Sequence, residues 1–537
     1  MKLTLEGLKD AAAWEEAGIR LPSYDIRETS RLAKEHPRWV HFGIGNIFRV
    51  FIGGIADDLL EKGYLDRGIT CAEAFDFDVV DKIYLPHDNL ALSVILKCDG
   101  TRDLKVLGGS AEVIRAIAGN ADEWERLKKV FADPSLQMVS FTITEKGYAL
   151  KGTDGRYFPF IQKDLEQGPD FASSAMAIVT AMLLERYKNG RLPLALVSMD
   201  NVSHNGDMLR NSVLEVASEW VRRGFAKESF LSYVSDTARV AFPWTMIDKI
   251  TPRPARKIAD ELEAAGIEGM QPTETSKRTY IAPFANAEGP QYLVIEDSFP
   301  NGRPALEHGK GVYMADRITV DLAERMKVTA CLNPVHSALG PLGVVAGIDL
   351  FADLMTDAVF GKMARTVAYG EGMPVIQDPV ILSPKAFTDE LFSDRFPNRY
   401  LGDVNLRLCT DVTQGFSVRF GETIKSYAAR YGSAERLWAI PLGIAGCMRY
   451  MMGVDDFGKA FELAPDPLVG ELHERLSGIE LGRPETFKGQ LRPVLSNENL
   501  FGVDLYRAGL GEKIEGMFRE MIAGYGAARS TVERYFG

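Results

Sequence analysis

Three polar side chains interrupt an apolar run near the middle of the chain, in the segment MKVTACLNPVHSALGPLG at residues 326–343. They are Lys327, Asn333 and His336: an amine, an amide and an imidazole. Desolvation disfavours the ammonium form of a lysine and moves its pKa toward the range of a general base. An amide can donate a hydrogen bond to an oxygen on which charge develops. These residue types predict a general base, and Glu324 lies one turn earlier, where it could exchange protons with Lys327.

The elements that must position this trio are two helices that meet at a break. Pro334 has no N–H group, so it is suited to the first position of a new helix, with Asn333 as the N-cap. Lys327 would then lie in the last turn of the preceding helix. On one straight helix, at about 100° per residue, Lys327 and His336 would point to opposite sides. A structural alternative remains open, because a lysine near a helix end also complements the helix dipole and a lone histidine is often a packing residue.

A glycine turn follows the first long apolar strand, in the segment HFGIGNIFRVF. Glycines there let the backbone approach a pyrophosphate at the N-terminus of a helix, although Phe48 occupies the position of the usual third glycine. The residues predicted to hold a dinucleotide are Gly43, Gly45, Asn46, Ile47 and Phe48. We also expect the next strand to end in Asp76, which would bind a ribose 2′-hydroxyl and favour NAD over NADP. A turn without a ligand and a solvated loop acid are the alternatives.

Polar residues follow two further predicted strands. The segment SFTITEKGY ends in a cluster that contains Thr144 and Glu145, and the segment LVSMDNVSHNGDML places Asn201 directly after its strand. Ligands of open parallel sheets lie at the carboxyl ends of the strands, so these residues are candidates for cofactor and substrate contacts. Asn205 and the glycine after it fit a loop and helix cap.

Asp248 and Lys249 stand between apolar residues in the segment FPWTMIDKITPRP. A surface ion pair is the cautious interpretation of these two residues.

The composition narrows the class of ligand. The chain of 537 residues carries 62 Lys and Arg against 74 Asp and Glu, a net charge of −12. Nucleic-acid and anionic-membrane partners select for basic surfaces, so we expect neither, and a small molecule is the expected partner. The five cysteines form no CxxC pair, which indicates a reduced, cytoplasmic protein. The N-terminus does not resemble a signal peptide, and no uninterrupted apolar run approaches the ~18 residues of a membrane span.

The chain divides by pattern into two parts. Short apolar runs such as WVHFGIG, GITCAEAF, LALSVILK, MVSFTIT and LALVSMD alternate with amphipathic stretches up to about residue 300. This alternation predicts βαβ units and a mostly parallel sheet. Helical periodicity dominates after the Gly- and Pro-containing segment 298–311. We therefore expect an α/β domain over residues 1–305 and a mainly α-helical domain over residues 306–537.

Several of these segments together resemble the polyol-specific long-chain dehydrogenases, the family of mannitol 2-dehydrogenase and mannonate oxidoreductase (fructuronate reductase). The resemblance covers nearly the whole chain, and its further motifs are KVTACLNPVHSALGPLG, GDVNLRLCTDVTQGFSVRFGETIK and CMRYMMGVDDFGKAFELAPDP. It implies a Rossmann-like N-terminal domain, a helical C-terminal domain and an NAD(P)-dependent secondary-alcohol dehydrogenase that uses no metal. NAD is the expected cofactor.

The resemblance also assigns roles to single residues. It implies that Lys327 is the catalytic base, that Asn201 and Asn333 polarise the carbonyl, and that His336 binds substrate. It further implies a proton relay at Glu324 and substrate contacts at Asp248 and Arg407.

This sequence departs from the family pattern at several positions. The spacing from Lys327 to Asn333 is one residue longer than in mannitol dehydrogenases. This longer spacing resembles the mannonate oxidoreductase branch. Trp244 replaces a usual asparagine, and Gly415 stands where many relatives have a substrate-binding lysine.

The expected reaction is the NAD-dependent interconversion of a sugar acid or polyol and its keto form, with D-mannonate and D-fructuronate as the expected pair. Mannitol 2-dehydrogenase or tagaturonate reductase activity, and a catalytically silent NAD-binding sensor, are the alternatives. A metal-dependent isomerase or hydrolase is disfavoured, because the seven histidines include no HxH or HExxH spacing. The sequence leaves the oligomeric state open between monomer and dimer.

Overall fold

The computed structural model describes residues 1–537. The chain divides into two compact units, Met1–Asp321 and Leu322–Gly537. All fifteen strands lie in the first unit, and the second unit is helical. The segment 298–311, which the sequence suggested as a linker, belongs to the first unit in this division.

The strands are β1 Ile19–Arg20, β2 Trp39–Phe42, β3 Ile69–Glu73, β4 Ala91–Leu96, β5 Arg102–Leu107, β6 Ser110–Arg115, β7 Met138–Phe141, β8 Leu194–Ser198, β9 Val240–Ala241, β10 Thr245–Asp248, β11 Thr273–Glu274, β12 Tyr280–Ile281, β13 Phe284–Glu288, β14 Tyr292–Glu296 and β15 Val312–Ala315.

The α-helices are α1 Ala11–Glu16, α2 Ile26–Glu35, α3 Gly53–Glu61, α4 Phe77–Val79, α5 Ala121–Ala132, α6 Thr144–Tyr148, α7 Pro159–Gln167, α8 Ala175–Lys188, α9 Asn205–Arg222, α10 Glu228–Ser235, α11 Arg256–Ala264, α12 Arg317–Met326, α13 Asn333–Val345, α14 Phe351–Thr356, α15 Ala358–Arg365, α16 Pro384–Glu390, α17 Asn405–Leu408, α18 Glu422–Tyr431, α19 Ala439–Tyr450, α20 Val469–Leu476, α21 Arg492–Leu495, α22 Glu498–Phe501, α23 Gly511–Met521 and α24 Ala527–Phe536.

The central sheet of the first unit has six strands in the order β6-β3-β2-β7-β8-β9, and every neighbouring pair is parallel. Successive residues of its strands enter two different apolar cores. Val139 and Leu196 belong to one core, whereas Met138 and Val197 belong to the other. A parallel sheet covered on both faces needs such strands, apolar on both sides. The predicted Rossmann-type architecture is therefore confirmed.

The run LALSVILK was expected to take part in the same βαβ alternation, and this expectation is wrong. It forms β4, which belongs to a separate four-stranded sheet with the order β1-β5-β4-β13. Strand β4 pairs antiparallel with β5 and parallel with β13. An apolar run specifies a buried strand but not the sheet that it joins.

The core of the second unit forms around α13 and α19. Gly443 of α19 lies so close to Ala338 of α13 that a side chain would not fit between them, and Gly446 lies equally close to Leu342. The helical run that contains α12 and α13, Arg317–Val345, is long and apolar enough to cross a membrane. Because 72% of its most apolar stretch is buried inside the protein, it has the character of the core helix of a soluble protein.

Candidate active site

The glycine turn joins β2 to the helical segment that leads into α3. Gly43 has a φ of +87°, and a Cβ atom there would collide with the carbonyl oxygen of Thr142 on the neighbouring strand connection. Gly45 is different, because no heavy atom lies within 4 Å of the position of its Cβ. The first glycine is thus required by the fold itself, whereas the second leaves open space beside the turn. A pyrophosphate fits this arrangement.

Arg49 supports the turn from within the core. Its guanidinium group donates to the side-chain oxygen of Asn46 at 2.5 Å and to the carbonyl oxygen of Ala282 at 2.6 Å. This bond leaves the amide nitrogen of Asn46 as a donor. Phe48 is fully buried and stacks on His41 with ring centroids 4.3 Å apart. The side chain of Phe48, predicted to hold the cofactor, is therefore a core residue, and only its backbone remains for a ligand.

The sequence analysis expected β3 to end in Asp76. In the structure, the acid at the end of β3 is Glu73. Glu73 is the last residue of β3, and its carboxylate accepts hydrogen bonds from the backbone N–H groups of Ile44 at 3.2 Å and Phe75 at 2.9 Å. Burial raises the pKa of Glu73. Glu73 therefore ties the glycine turn to the end of β3. The pattern of apolar residues in GITCAEAFDFD did not predict the residue at which the strand ends.

Asp76 lies three residues beyond the strand, where it is buried. One of its oxygens accepts from the hydroxyl of Thr275 at 2.7 Å, and the other has no hydrogen-bond partner. An orphaned buried carboxylate oxygen is a fitting acceptor for a ribose hydroxyl. Asp76 thus stays a predicted cofactor residue.

The connection after β7 is held by a buried carboxylate. Asp200 accepts from the backbone N–H groups of Ile143 at 2.9 Å and Thr144 at 3.0 Å, and from the hydroxyl of Tyr148 at 2.6 Å. Burial raises the pKa of Asp200. Thr144 has a φ of +61°, and both it and Glu145 are exposed. The carboxylate therefore fixes an exposed, strained turn directly beside the glycine turn.

The carboxyl ends of the three central strands bring these predicted residues together. Phe42 of β2 pairs with Phe141 of β7, which pairs with Ser198 of β8. The glycine turn, the turn with Thr144 and the exposed Asn201 accordingly follow adjacent strands on one edge of the sheet. This is the edge at which open parallel sheets bind ligands.

The residues after Asn201 serve the fold. Asn205 is the first residue of α9 and not its cap, because His204 takes the cap position in a left-handed conformation. The buried side chain of Asn205 donates to the backbone oxygens of Asp200 and Thr245, and its own oxygen accepts from the N–H group of Thr245. Asn205 therefore links the end of β8 to the start of β10.

Trp244, the departure from the family pattern, packs over the N-terminus of α9. Its ring stacks on His204 with centroids 4.2 Å apart, and its indole N–H donates to Asp207 at 3.0 Å. Arg317 lies 4.9 Å from the centroid of the same ring. These contacts give Trp244 a structural role in the first unit.

Asp248 ends β10 in a buried position. The ammonium group of Lys249 donates to the carbonyl oxygen of Glu288 at 2.6 Å. The interpretation of these neighbours as a surface ion pair is therefore wrong, since Asp248 is not at the surface. The alternation of apolar and polar residues did not show that this strand pairs with β14 inside a sheet.

In the second unit, the predicted break between two helices is a π-helical turn. The segment Lys327–Cys331 has π geometry, and the N–H group of Leu332 donates to the carbonyl oxygen of Lys327 at 3.1 Å. A π turn holds one residue more than an α turn, so it rotates the residues that follow by about 100°. By itself, this rotation would reduce the angle between Lys327 and His336 from the value on a straight α-helix. Lys327 is buried, with 2% of its surface exposed.

A threonine replaces the hydrogen bond that Pro334 cannot make. In the i→i+5 pattern the missing N–H group of Pro334 would face the carbonyl oxygen of Thr329. The hydroxyl of Thr423 donates to that oxygen at 3.1 Å. Asn333 is the first residue of α13 and not its N-cap, because Leu332 before it already has helical dihedral angles. The prediction of an N-cap was wrong for this reason.

His336 lies one turn into α13, with its ring edge-on to those of Phe351 and Phe396 at centroid distances of 4.7 and 5.4 Å. Burial lowers the pKa of His336 to about 4. The negative charge of Asp403 opposes this shift. The guanidinium groups of Arg395, Arg419 and Arg407 add to it.

Two other predicted residues of the second unit are less enclosed. Glu324 is partly buried on α12, three residues before Lys327. Arg407 is exposed over 66% of its side chain and forms an ion pair with Asp403. The second unit thus brings Glu324, Lys327, Asn333 and His336 onto one helical run, with Arg407 near enough to affect the imidazole.

Sequence reasoning missed two residues with a defined place in these sites, Glu73 and Arg419, whereas Asp200 already stood out among the polar residues after the strand of LVSMDNVSHNGDML. Glu73 carries a signal that a sequence offers, since it stands at the end of a predicted strand. Arg419 offered no such signal, because the sequence does not show that its side chain lies over Gly415.

A Rossmann-type sheet with a glycine turn at its carboxyl edge, and a buried lysine on a helical run with an amide and an imidazole, define the class of nicotinamide-dependent oxidoreductases. The comparisons with known proteins agree with this class. Family models match residues 37–308, as the mannitol dehydrogenase Rossmann domain, and residues 320–521, as the mannitol dehydrogenase C-terminal domain. The chain belongs to the mannitol dehydrogenase family and is an oxidoreductase acting on CH–OH groups.

Individual relatives are similar over most of their length. D-mannonate oxidoreductase of Thermotoga maritima is 48% identical over 539 residues, which cover 100% of this chain and 99% of the relative. D-mannonate oxidoreductase of Escherichia coli is 29% identical, with 85% of this chain and 87% of the relative covered. The structure of Pseudomonas fluorescens mannitol 2-dehydrogenase in a ternary complex with NAD and D-mannitol matches with a TM-score of 0.71 and 24% identity. That match covers 100% of this chain and 99% of the other, and it supports the fold.

Proposed function

We propose that this protein is an NAD-dependent D-mannonate oxidoreductase, which interconverts D-mannonate and D-fructuronate. The observation that carries the proposal is the 48% identity, over the whole chain, with the Thermotoga maritima enzyme of that name. The buried lysine of the π turn supports it, because such a group can take the proton of the substrate hydroxyl.

The residues of the first unit fit a bound dinucleotide. The amide groups after Gly45, together with the buried guanidinium of Arg49, suit the charge of a pyrophosphate. Glu73 and Asp76 place two carboxylates at and just beyond the end of β3, and these carboxylates disfavour the extra phosphate of NADP. When bound, NAD supplies the hydride acceptor at C4 of its nicotinamide ring. We propose NAD as the cofactor on these grounds, and a cytoplasmic location because the cysteines are far apart in sequence.

The chemistry that we assign to the chain is proton transfer and charge stabilisation. In the oxidation direction Lys327 takes the hydroxyl proton, and Glu324 passes it outward. Asn201 and Asn333 donate hydrogen bonds to the reacting oxygen, each such donor being worth about 3 kcal/mol where water is excluded. His336 and Asp248 orient the other hydroxyl groups, and Arg407 is a further substrate contact. In the reduction of the keto acid each proton step reverses.

Steady-state kinetics with NADH absorbance test the proposal. The substrates are D-mannonate, D-mannitol, D-altronate and D-arabinitol with NAD, and D-fructuronate and D-tagaturonate with NADH. We expect kcat/KM for D-mannonate to exceed that for D-mannitol at least ~100-fold, since a buried polar group left unpaired weakens binding by this order. Preference for D-mannitol would identify a polyol 2-dehydrogenase, and preference for D-tagaturonate would identify a tagaturonate reductase. NADH binding without any turnover would identify a sensor.

Lys327→Ala is the variant that tests the proposed base. It should lower kcat about 10³-fold, because general-base catalysis contributes 10²- to 10⁴-fold. The dissociation constant of NADH, measured by fluorescence, should stay within threefold of the wild-type value. A Lys327→Ala variant with near-normal turnover would contradict the assignment.

A further inference from the structure

Gly415 makes room for the guanidinium group of Arg419. Gly415 ends the 3₁₀ turn Thr413–Gly415, and Arg419 lies one turn later in the π-helical segment Ser417–Gly421. A Cβ atom at position 415 would collide with the Nε, Cδ and Cζ atoms of Arg419. The φ of Gly415 is not positive, so the backbone does not require a glycine. The lack of a side chain at position 415 therefore makes room for Arg419 and is not a requirement of the turn.

The guanidinium group is held against α13, beside the predicted substrate histidine. Its Nη1 atom donates to the hydroxyl of Ser337 at 2.8 Å, and Ser337 is fully buried. Its charge reaches His336, the preceding residue, and contributes to the low pKa of that imidazole. Arg419 thus contacts α13 at the residue that follows His336.

Arg419 has no carboxylate partner in the structure. Burial lowers the pKa of Arg419, and the only opposing charge effect comes from the thiol of Cys447. A guanidinium group has five N–H donors, and the bond to Ser337 occupies one of them. Holding a desolvated cation without a counter-charge is unfavourable unless an anion completes the site. Arg407, by contrast, is largely exposed and already paired with Asp403.

We propose that Arg419 is a substrate-binding residue that replaces the lysine of relatives at position 415, and that its guanidinium group binds the carboxylate of the sugar acid. The inference rests on the proposed function, since it names the group that recognises the acid. A planar guanidinium group can bind two carboxylate oxygens at once, which a lysine cannot do. The cation of the family is therefore moved by four residues along the chain and not lost.

The test compares KM and kcat for D-mannonate in wild type, Arg419→Ala and Arg419→Lys. Arg419→Ala should raise KM at least ~30-fold, with kcat within fivefold, because removing one partner of an enclosed charge pair weakens binding by this order. Arg419→Lys should recover part of the loss. Lys425→Ala is the matched control, since Lys425 is an exposed cation of the following helix that pairs with Glu422, and it should leave KM unchanged.

The double variant Gly415→Lys with Arg419→Ala separates binding from a structural effect. It should lower KM at least tenfold relative to Arg419→Ala, because the lysine enters the space that the arginine leaves. Gly415→Lys alone should lower Tm, since its Cβ collides with Arg419. NADH affinity should match wild type in Arg419→Ala, in Arg419→Lys and in the double variant.

An Arg419→Ala enzyme with KM within threefold of wild type would overturn the inference and leave the proposed function intact. If the double variant keeps the high KM of Arg419→Ala, the inference that Arg419 replaces a lysine at position 415 would be overturned. Absence of wild-type turnover on every sugar acid would instead overturn the proposed function.

Discussion

The imidazole of His336 illustrates how the side chains around one residue set its chemistry. Two aromatic rings enclose it, and three guanidinium groups lie near enough to repel a proton from it. Its pKa of about 4 means that it is neutral at every pH above about 5. A neutral imidazole has one N–H donor and one acceptor nitrogen, which suits binding to a substrate hydroxyl.

We therefore expect the titration of His336 to produce no inflection in the pH profile of kcat/KM between pH 5.5 and 9. Because its pKa is lowered, the proton is lost well below neutral pH, and its charge does not change between pH 5.5 and 9. His336→Gln should lower kcat/KM about tenfold through lost hydroxyl contacts, yet keep the shape of the profile between these limits. Rates measured at half-unit intervals for both proteins check this. Loss of an inflection between pH 5.5 and 7 in the variant would contradict it.

Position 415 shows what a sequence can and cannot reveal about a single residue. The family pattern indicated that position 415 has a glycine where many relatives have a lysine, so the sequence alone showed that this cation is missing. The pattern could not indicate that the arginine four positions later occupies the same space, because that fact depends on how the π-helical segment directs the side chain. The sequence therefore showed the missing lysine, but it did not show that Arg419 takes its place.

At the scale of elements, the two glycines of the turn after β2 have separate functions. Gly43 has a left-handed conformation and touches the connection after β7. Gly45 has an ordinary conformation and no neighbour near its Cβ position. The fold itself requires only the first glycine.

This difference predicts opposite phenotypes for one kind of substitution. Gly45→Ala should keep Tm within about 1 °C but weaken NADH binding at least ~10-fold, because the added methyl group occupies the space proposed for the pyrophosphate. Gly43→Ala should destabilise the protein by more than ~1 kcal/mol, owing to its positive φ and the collision with Thr142. Thermal unfolding and NADH fluorescence titration distinguish the two. Equal loss of Tm in both variants would refute this division.

The helical run around Lys327 marks the limit of prediction for elements. Pro334 correctly indicated that the α-helical pattern could not continue unchanged. It suggested two separate helices, because a lost N–H bond usually ends a helix. The structure keeps one run, since a hydroxyl from Thr423, distant in sequence, binds the carbonyl oxygen of Thr329. Local sequence could not supply a partner so far along the chain.

At the scale of the whole molecule, the alternation of apolar runs was enough to predict a mostly parallel sheet and a helical second part. It could not assign β4 to a separate sheet, because apolar runs carry no information about their partners. The chain belongs to a family with two matched domains, and the proposed function assigns roles to residues of each unit. The activity should therefore depend on the intact chain.

The proposed mechanism also predicts the response to metal removal. No group of three or more His, Cys, Asp or Glu side chains is placed to hold a metal ion. Dialysis against EDTA should leave kcat for D-mannonate within about 20% of the untreated value, because Lys327 and the two asparagines act without a Lewis acid. The control is dialysis without chelator. A loss of activity that a divalent metal reverses would point to a different enzyme class.

The close packing of Arg419 over Gly415 restricts the order in which natural or laboratory evolution can exchange the two cations. With the arginine in this conformation, a side chain at 415 overlaps Arg419, so the glycine can change only if the arginine moves away from α13 or is replaced. An intermediate in which the arginine is replaced first has neither charge, and we expect it to bind acids poorly. A library that varies one position at a time would miss the alternative arrangement, whereas one that varies both together would reach it.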